Sequence, residues 1–148
     1  MTDMIDRDIL GSIATEAAAA MFSLQLVASD AAGDAQFSRR GRHSVMLRLH
    51  GAPAIFVGLA CDTAAGVRIA SAIFEVDPNQ TDDAMIDDAL RELANIFAGQ
   101  VKSMVAPEHK IGLPRVQSDP ATFSDREWHG VSLRIADSDD VLDLAVAA

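Results

Sequence analysis

The feature that most constrains the fold is a long amphipathic helical pattern near the centre of the chain. Over residues 82–106, apolar side chains recur every three or four residues, which is the periodicity of an α-helix. Thr81 is a suitable N-cap, and Asp82 and Asp83 suit the positive end of the helix dipole. Pro107 ends the pattern. At about 100° per residue, the apolar side chains fall within roughly 80° and predict a buried face: Ile86, Leu90, Leu93, Phe97, Val101 and Met104.

The flanking segments predict a two-layer α+β fold. Further helical patterns cover residues 3–23 and the stretch from Asp62-Thr63 to Asp77-Pro78-Asn79. Extended segments are predicted at residues 24–29, 44–50, 54–61, 111–116, 130–136 and 141–147, with a loop at 30–42. Strands follow strands along the chain, which favours an antiparallel β-sheet packed against long helices. No linker or change in composition divides residues 1–148, so we expect a single domain.

Charge and cysteine content exclude several classes of function. The net charge of −10 argues against nucleic acid or an anionic membrane as the partner, because both require a basic surface. Cys61 is the only cysteine, so a disulfide within the chain and a multi-cysteine zinc site are excluded. The acidic start is unlike a secretory signal, and polar residues interrupt the apolar stretch 9–28. We therefore expect a cytoplasmic protein without a membrane span.

Four residues lie opposite the apolar stripe of the central helix. Asp88, Glu92, Asn95 and Gly99 fall within roughly 60° of one another on the helical wheel. The charges here could be ordinary solvated or paired side chains, as on most exposed helix faces. However, Asn is a poor residue in mid-helix, and Gly costs about 1 kcal/mol relative to Ala. The residues alone therefore indicate a partner surface with a carboxylate and a carboxamide at its centre.

The segment 88–102 resembles the hallmark helix of the CheC/CheX/FliY family of chemotaxis phosphatases. In that family an Asp or Ser is followed after three residues by Glu, after two more by Asn, and later by Pro. Asp88, Glu92 and Asn95 match this pattern, and Pro114 resembles the distal proline, although it lies closer to the asparagine than is typical. Because the first helix has Ala19 where a second motif would require Asn, the resemblance is to the single-motif CheX-like branch.

The resemblance implies a function, a site and partners. The substrate would be the aspartyl phosphate of a CheY-like receiver domain, with Asn95 orienting the attacking water and Glu92 anchoring the receiver. Asp88 would lie at the edge of the contact, and Gly99 would allow close approach. The chain would need no cofactor of its own, because the receiver supplies Mg²⁺, and it would form a homodimer.

Two alternatives stay open at this point. One is a non-catalytic receiver-binding or scaffold domain of a chemotaxis or other two-component system. The other is an unrelated α+β interaction domain in which the motif arose by chance. A metal site is not expected, because the four histidines lack neighbouring ligands at metal-binding spacing. Trp128 is interpreted as a packing residue.

Overall fold

A computed structural model describes residues 7–28, 43–117 and 128–147. Residues 3–6 of the predicted first helix and the predicted loop 30–42 lie outside the described residues. The helices are α1 (Arg7–Phe22), α2 (Thr63–Phe74) and α3 (Asp83–Val105), with a 3₁₀ turn at Pro78–Gln80. The strands are β1 (Leu26–Ala28), β2 (His43–His50), β3 (Ile55–Cys61), β4 (Lys110–Ile111), β5 (Arg115–Val116), β6 (His129–Ile135) and β7 (Val141–Ala147).

The strands of the described residues form one antiparallel sheet, which confirms the predicted α+β fold class. Their order is β1-β6-β7-β3-β2-β4, and β5 also pairs with β2. The predicted hairpin is formed by β2 and β3, in which Met46 lies opposite Gly58. The final strand, β7, lies in the middle of the sheet, where Val146 lies opposite Val57. The last strand pair of the chain is therefore central to the fold.

The helices cover one face of the sheet, as the two-layer prediction requires. Alternate residues of each strand point to opposite faces, and the main core combines one set of these with residues of α1, α2 and α3. A smaller cluster on the opposite face contains Trp128 with Ala60, Ala145 and Ala147. Trp128 is buried, so its interpretation as a packing residue is confirmed.

Helix α3 begins one residue later than predicted. Asp82, rather than Thr81, is its N-cap, and the Asp82 carboxylate accepts a hydrogen bond of 2.9 Å from the Met85 backbone N–H. The Thr81 hydroxyl instead donates to the carbonyl of Pro78 at 2.7 Å, which closes the preceding 3₁₀ turn. Both residues can cap a helix, and the turn at Pro78 decides between them.

The buried face of α3 follows the predicted stripe with one exception. Ile86, Leu90, Leu93, Phe97 and Val101 are all buried in the core. The prediction that Met104 is buried with them is wrong, because 52% of its surface is exposed. It lies in the last turn of α3, where this face borders a groove between α1 and α3. None of the described helices is long and apolar enough to cross a membrane.

Candidate active site on helix α3

The site is built on the outer face of a helix that is anchored along its inner face. Asp88, Glu92 and Asn95 are exposed, and Gly99 is partly exposed, while the intervening Leu93 is fully buried. The four predicted residues therefore share one face, as the periodicity indicated. A packed helix holds their spacing more rigidly than a loop would.

His43 fixes the start of α3 to the rest of the fold. Its ring, 8% exposed at the start of β2, lies 3.3 Å from the carboxylate of Asp87 through Nδ1. Through Nε2 the ring lies 3.2 Å from the hydroxyl of Thr63 and 3.5 Å from the carboxylate of Asp83. One buried side chain thus connects a strand with the N-terminal turns of α2 and α3, just before the candidate site.

The polar side chains of the site differ in whether they already form a hydrogen bond or ion pair within the chain. Asp88 forms an ion pair of 2.7 Å with Arg91, one turn along the same helix. Both groups are well exposed, so this pair contributes little to stability. Within the described chain, the side chains of Glu92 and Asn95 have no hydrogen-bonding partner. These two polar groups are therefore available to a molecule that approaches α3.

An open depression lies on one side of this face. It has a volume of about 500 Å³, and its lining includes Asp88, Glu92 and Asn95. Pro114 lies in the break between β4 and β5, which pair with opposite ends of β2, and it lines the same depression. The structure thus brings the predicted distal proline to the predicted helix face. Two apolar residues that the sequence analysis missed also line it: Phe74 and Leu113.

A larger groove lies on the other side of the same face, between α1 and α3. Its volume is about 740 Å³, and both Asn95 and Gly99 line it. Two exposed methionines also line it, Met21 with 62% and Met104 with 52% of their surfaces accessible. Asn95 contributes to both concavities, so it lies on the ridge between them. The groove could not be predicted from the sequence, because it depends on how α1 packs against α3.

The chemistry available at the ridge is positioning by hydrogen bonds. A carboxamide both donates and accepts, whereas an ionised carboxylate only accepts. Among the residues that the structure describes, no group of three or more His, Cys, Asp or Glu side chains could hold a metal ion. Cys61 is fully buried, and burial, aided by nearby carboxylates, raises the pKa of its thiol far above the ordinary value. Such a thiol is not a nucleophile at neutral pH.

A sequence comparison with protein families decides the family. The model for "Chemotaxis phosphatase CheX" matches residues 43–125, which is more than half of the chain and includes all of α3. The chain belongs to the CheX family. The alternative of an unrelated domain with a chance motif is thereby excluded. No curated protein sequence matches the chain.

The similarity to solved structures with the same fold covers nearly the whole chain. The chemotaxis protein CheX from Vibrio vulnificus has a TM-score of 0.68 at 15% identity, with 93% of each chain covered. The CheX-CheY-BeF₃-Mg²⁺ complex from Borrelia burgdorferi gives 0.66 at 16% identity, covering 93% of this chain and 94% of that one. The FliM middle domain from Vibrio alginolyticus gives 0.57 at 10% identity, covering 95% and 91%. At these identities the likeness is one of fold.

Proposed function

We propose that this CheX-family protein is a phosphatase that hydrolyses the aspartyl phosphate of a CheY-like receiver domain. The observation that carries the proposal is the pairing of Glu92 and Asn95 on the exposed face of α3, one turn apart and without partners among the described residues. The family match supports the reaction class. The Borrelia burgdorferi structure, a complex of CheX with CheY, BeF₃ and Mg²⁺, supports the choice of a receiver as substrate.

Asn95 is proposed to position the attacking water. Hydrolysis of a phosphoryl group involves little covalent chemistry for the protein, so alignment of the water with the leaving carboxylate is the main contribution available. The carboxamide can accept a hydrogen bond from the water and donate one to a phosphoryl oxygen. Because it is neutral, it brings no negative charge to an anionic transition state. The magnesium ion belongs to the receiver, and this chain contributes no cofactor.

Glu92 is proposed to anchor the receiver rather than to take part in the chemistry. It is exposed and one turn before Asn95, so an ion pair with a basic receiver residue would fix the register of α3 in the receiver's active site. Asp88 is already paired with Arg91, so its proposed place is the edge of the contact. At Gly99 an added Cβ would meet no atom within 4 Å, which leaves space for a partner's backbone.

The experiment that tests these roles is steady-state turnover of a receiver that is continuously rephosphorylated by a small-molecule donor. Release of inorganic phosphate is followed against receiver concentration. We expect Asn95→Ala to lower kcat by a factor of about 10² or more, as for other lost positioning donors. Glu92→Gln should mainly raise KM, because it weakens docking and leaves the amide in place. Equal effects of both variants on kcat alone would contradict the division of roles.

A non-catalytic docking domain is the second candidate. The observation in its favour is that the FliM middle domain has the same fold at a TM-score of 0.57. Against it, a docking surface needs no carboxamide at the centre of its helix, where Asn destabilises the helix. Binding of a receiver without any faster loss of its phosphate would establish this alternative.

The remaining proposals concern assembly and location. We propose a homodimer, as the CheX-like branch implies, and a cytoplasmic location, where phosphorylated receivers are found. Light scattering of the purified protein at two or more concentrations tests the first. A monomer at all concentrations would exclude the dimer.

A further inference from the structure

We propose that the groove between α1 and α3 is a second part of the receiver-binding surface and accepts an apolar receiver side chain flanked by basic groups. The inference rests on the proposed function and names a surface for it that the Glu92–Asn95 motif does not include. The groove lies on the opposite side of the α3 ridge from the depression that Pro114 lines.

Asn95 is proposed to contact the phosphoryl group, so its position determines which neighbouring surfaces the bound receiver also covers. Asn95 lines both concavities, so a receiver whose phosphoryl group lies against this amide covers the ridge and extends to each side of it. On one side it meets Asp88 and Glu92. On the other it meets Gly99 and the residues of α1 beyond it, because Gly99 has no side chain to keep the two surfaces apart.

The groove is apolar where a partner would contact it. Met21 and Met104 are among the few large hydrophobic side chains that are exposed in the described chain. Partly buried Ile9 and Ile96 form its walls between them. Exposed methionines suit a docking surface, because their flexible and polarisable side chains adapt to the shape of the partner. Exposure of two such side chains in one concavity favours a partner over solvent.

The charge around the groove indicates which charged groups the partner carries beside its apolar residue. Asp8 and Glu16 of α1 lie at its edge, and no Lys or Arg is found among the described residues that line it. Glu92 adds negative charge on the other side of the ridge, and the whole chain carries −10. A receiver surface with Lys or Arg around the phosphorylation site is therefore complementary, and its association should slow as salt is added.

The test measures affinity for receivers of the same genome, held in their activated form with beryllofluoride and Mg²⁺. Calorimetric titration compares wild type with Met21→Glu and Met104→Glu, after thermal melts have established that the variants fold. The matched control is Val27→Glu, which places the same charge on an exposed apolar residue of β1 that lines neither concavity. We expect Kd to rise about tenfold or more for the groove variants, as for interface anchors, and to change by less than about twofold for the control.

Kinetics separate this inference from the proposed function. Groove variants should raise KM and keep kcat, whereas Asn95→Ala should lower kcat and keep binding. Groove variants that bind the receiver like wild type would overturn the inference and leave the phosphatase in place. If the groove variants bind the receiver more weakly but the wild type does not hydrolyse its phosphate, the docking surface is supported and the catalytic proposal is overturned. No binding of any receiver, or loss of self-association alone in the groove variants, would overturn the inference that a receiver occupies the groove.

Discussion

Gly99→Ala should make the protein more stable and less active. In a helix interior Ala is favoured over Gly by about 1 kcal/mol. An added Cβ at Gly99 would meet no atom within 4 Å, so no steric term opposes this gain. For a chain of 148 residues, such a gain corresponds to a rise in Tm of roughly 2–4 °C.

The same methyl group should weaken the complex. It would project from the exposed face of α3, one turn after Asn95, into the space between the helix and the receiver backbone. We expect KM for the phosphorylated receiver to rise several-fold, because the helix would be held away from the receiver's active site. The assay combines a thermal melt with phosphate release at several receiver concentrations.

Two other helical glycines serve as controls. Gly11 in α1 also has open space where a Cβ would lie, and it lines neither concavity, so Gly11→Ala should raise Tm to a similar extent and leave the kinetics unchanged. Gly66 in α2 packs against α3, and a Cβ there would lie 2.5 Å from Cγ2 of Ile86. Gly66→Ala should therefore destabilise the protein, by about 1–3 kcal/mol. Unchanged KM in Gly99→Ala, or a fall in its Tm, would refute the reasoning.

The remaining predictions concern the stability of the fold. Leu93→Ala should lower the free energy of unfolding by about 2–5 kcal/mol in denaturant titrations, whereas Asn95→Ala should leave it unchanged or slightly higher; the reverse order would mean that the faces of α3 are misassigned. Asp82→Ala should cost about 1 kcal/mol through loss of the N-cap, and more than Thr81→Ala. The raised pKa of Cys61 adds stability that is present below the ordinary thiol pKa and lost as pH rises beyond it. At neutral pH the Cys61 thiol should be labelled only when the protein unfolds. Rapid labelling of the native protein would contradict the burial of Cys61.

Periodicity predicted the central helix and the longer strands well, whereas the extended segment predicted at 111–116 is divided into β4 and β5. Side chains three and four residues apart share a helix face whatever the tertiary fold, so Leu93 was correctly assigned to the core and Asn95 to the surface. The exceptions are places where tertiary packing decides. Met104 lies on the apolar stripe but at the end of α3, and Thr81 lost the capping position to Asp82 because it closes the turn at Pro78.

Long-range arrangement was beyond the reach of periodicity. The central place of β7 depends on pairing with β3 across about 85 residues of chain, and no local pattern specifies such a partner. Phe74 reaches the site from the end of α2 and Leu113 from the break between β4 and β5, so nothing in their own segments marked them. The Glu92–Asn95 pair was identified from its position on the helix face. The residues alone indicated only a surface for a partner, and the phosphatase chemistry came from the resemblance to the CheC/CheX/FliY family. That residues 1–148 form a single domain stays a prediction.

The most direct test of the central claim is single-turnover decay of a phosphorylated receiver. Receivers of the same genome are loaded by a small-molecule phosphodonor with Mg²⁺, separated from the donor, and followed with and without this protein. Ser103→Ala serves as the control, because Ser103 is an exposed residue of α3 that lines neither concavity. Wild type and Ser103→Ala should accelerate decay of a cognate receiver equally. Asn95→Ala should reduce that acceleration by a factor of about 10² or more. Acceleration by Asn95→Ala equal to that of wild type, or no acceleration of any receiver by the folded wild type, would contradict the account.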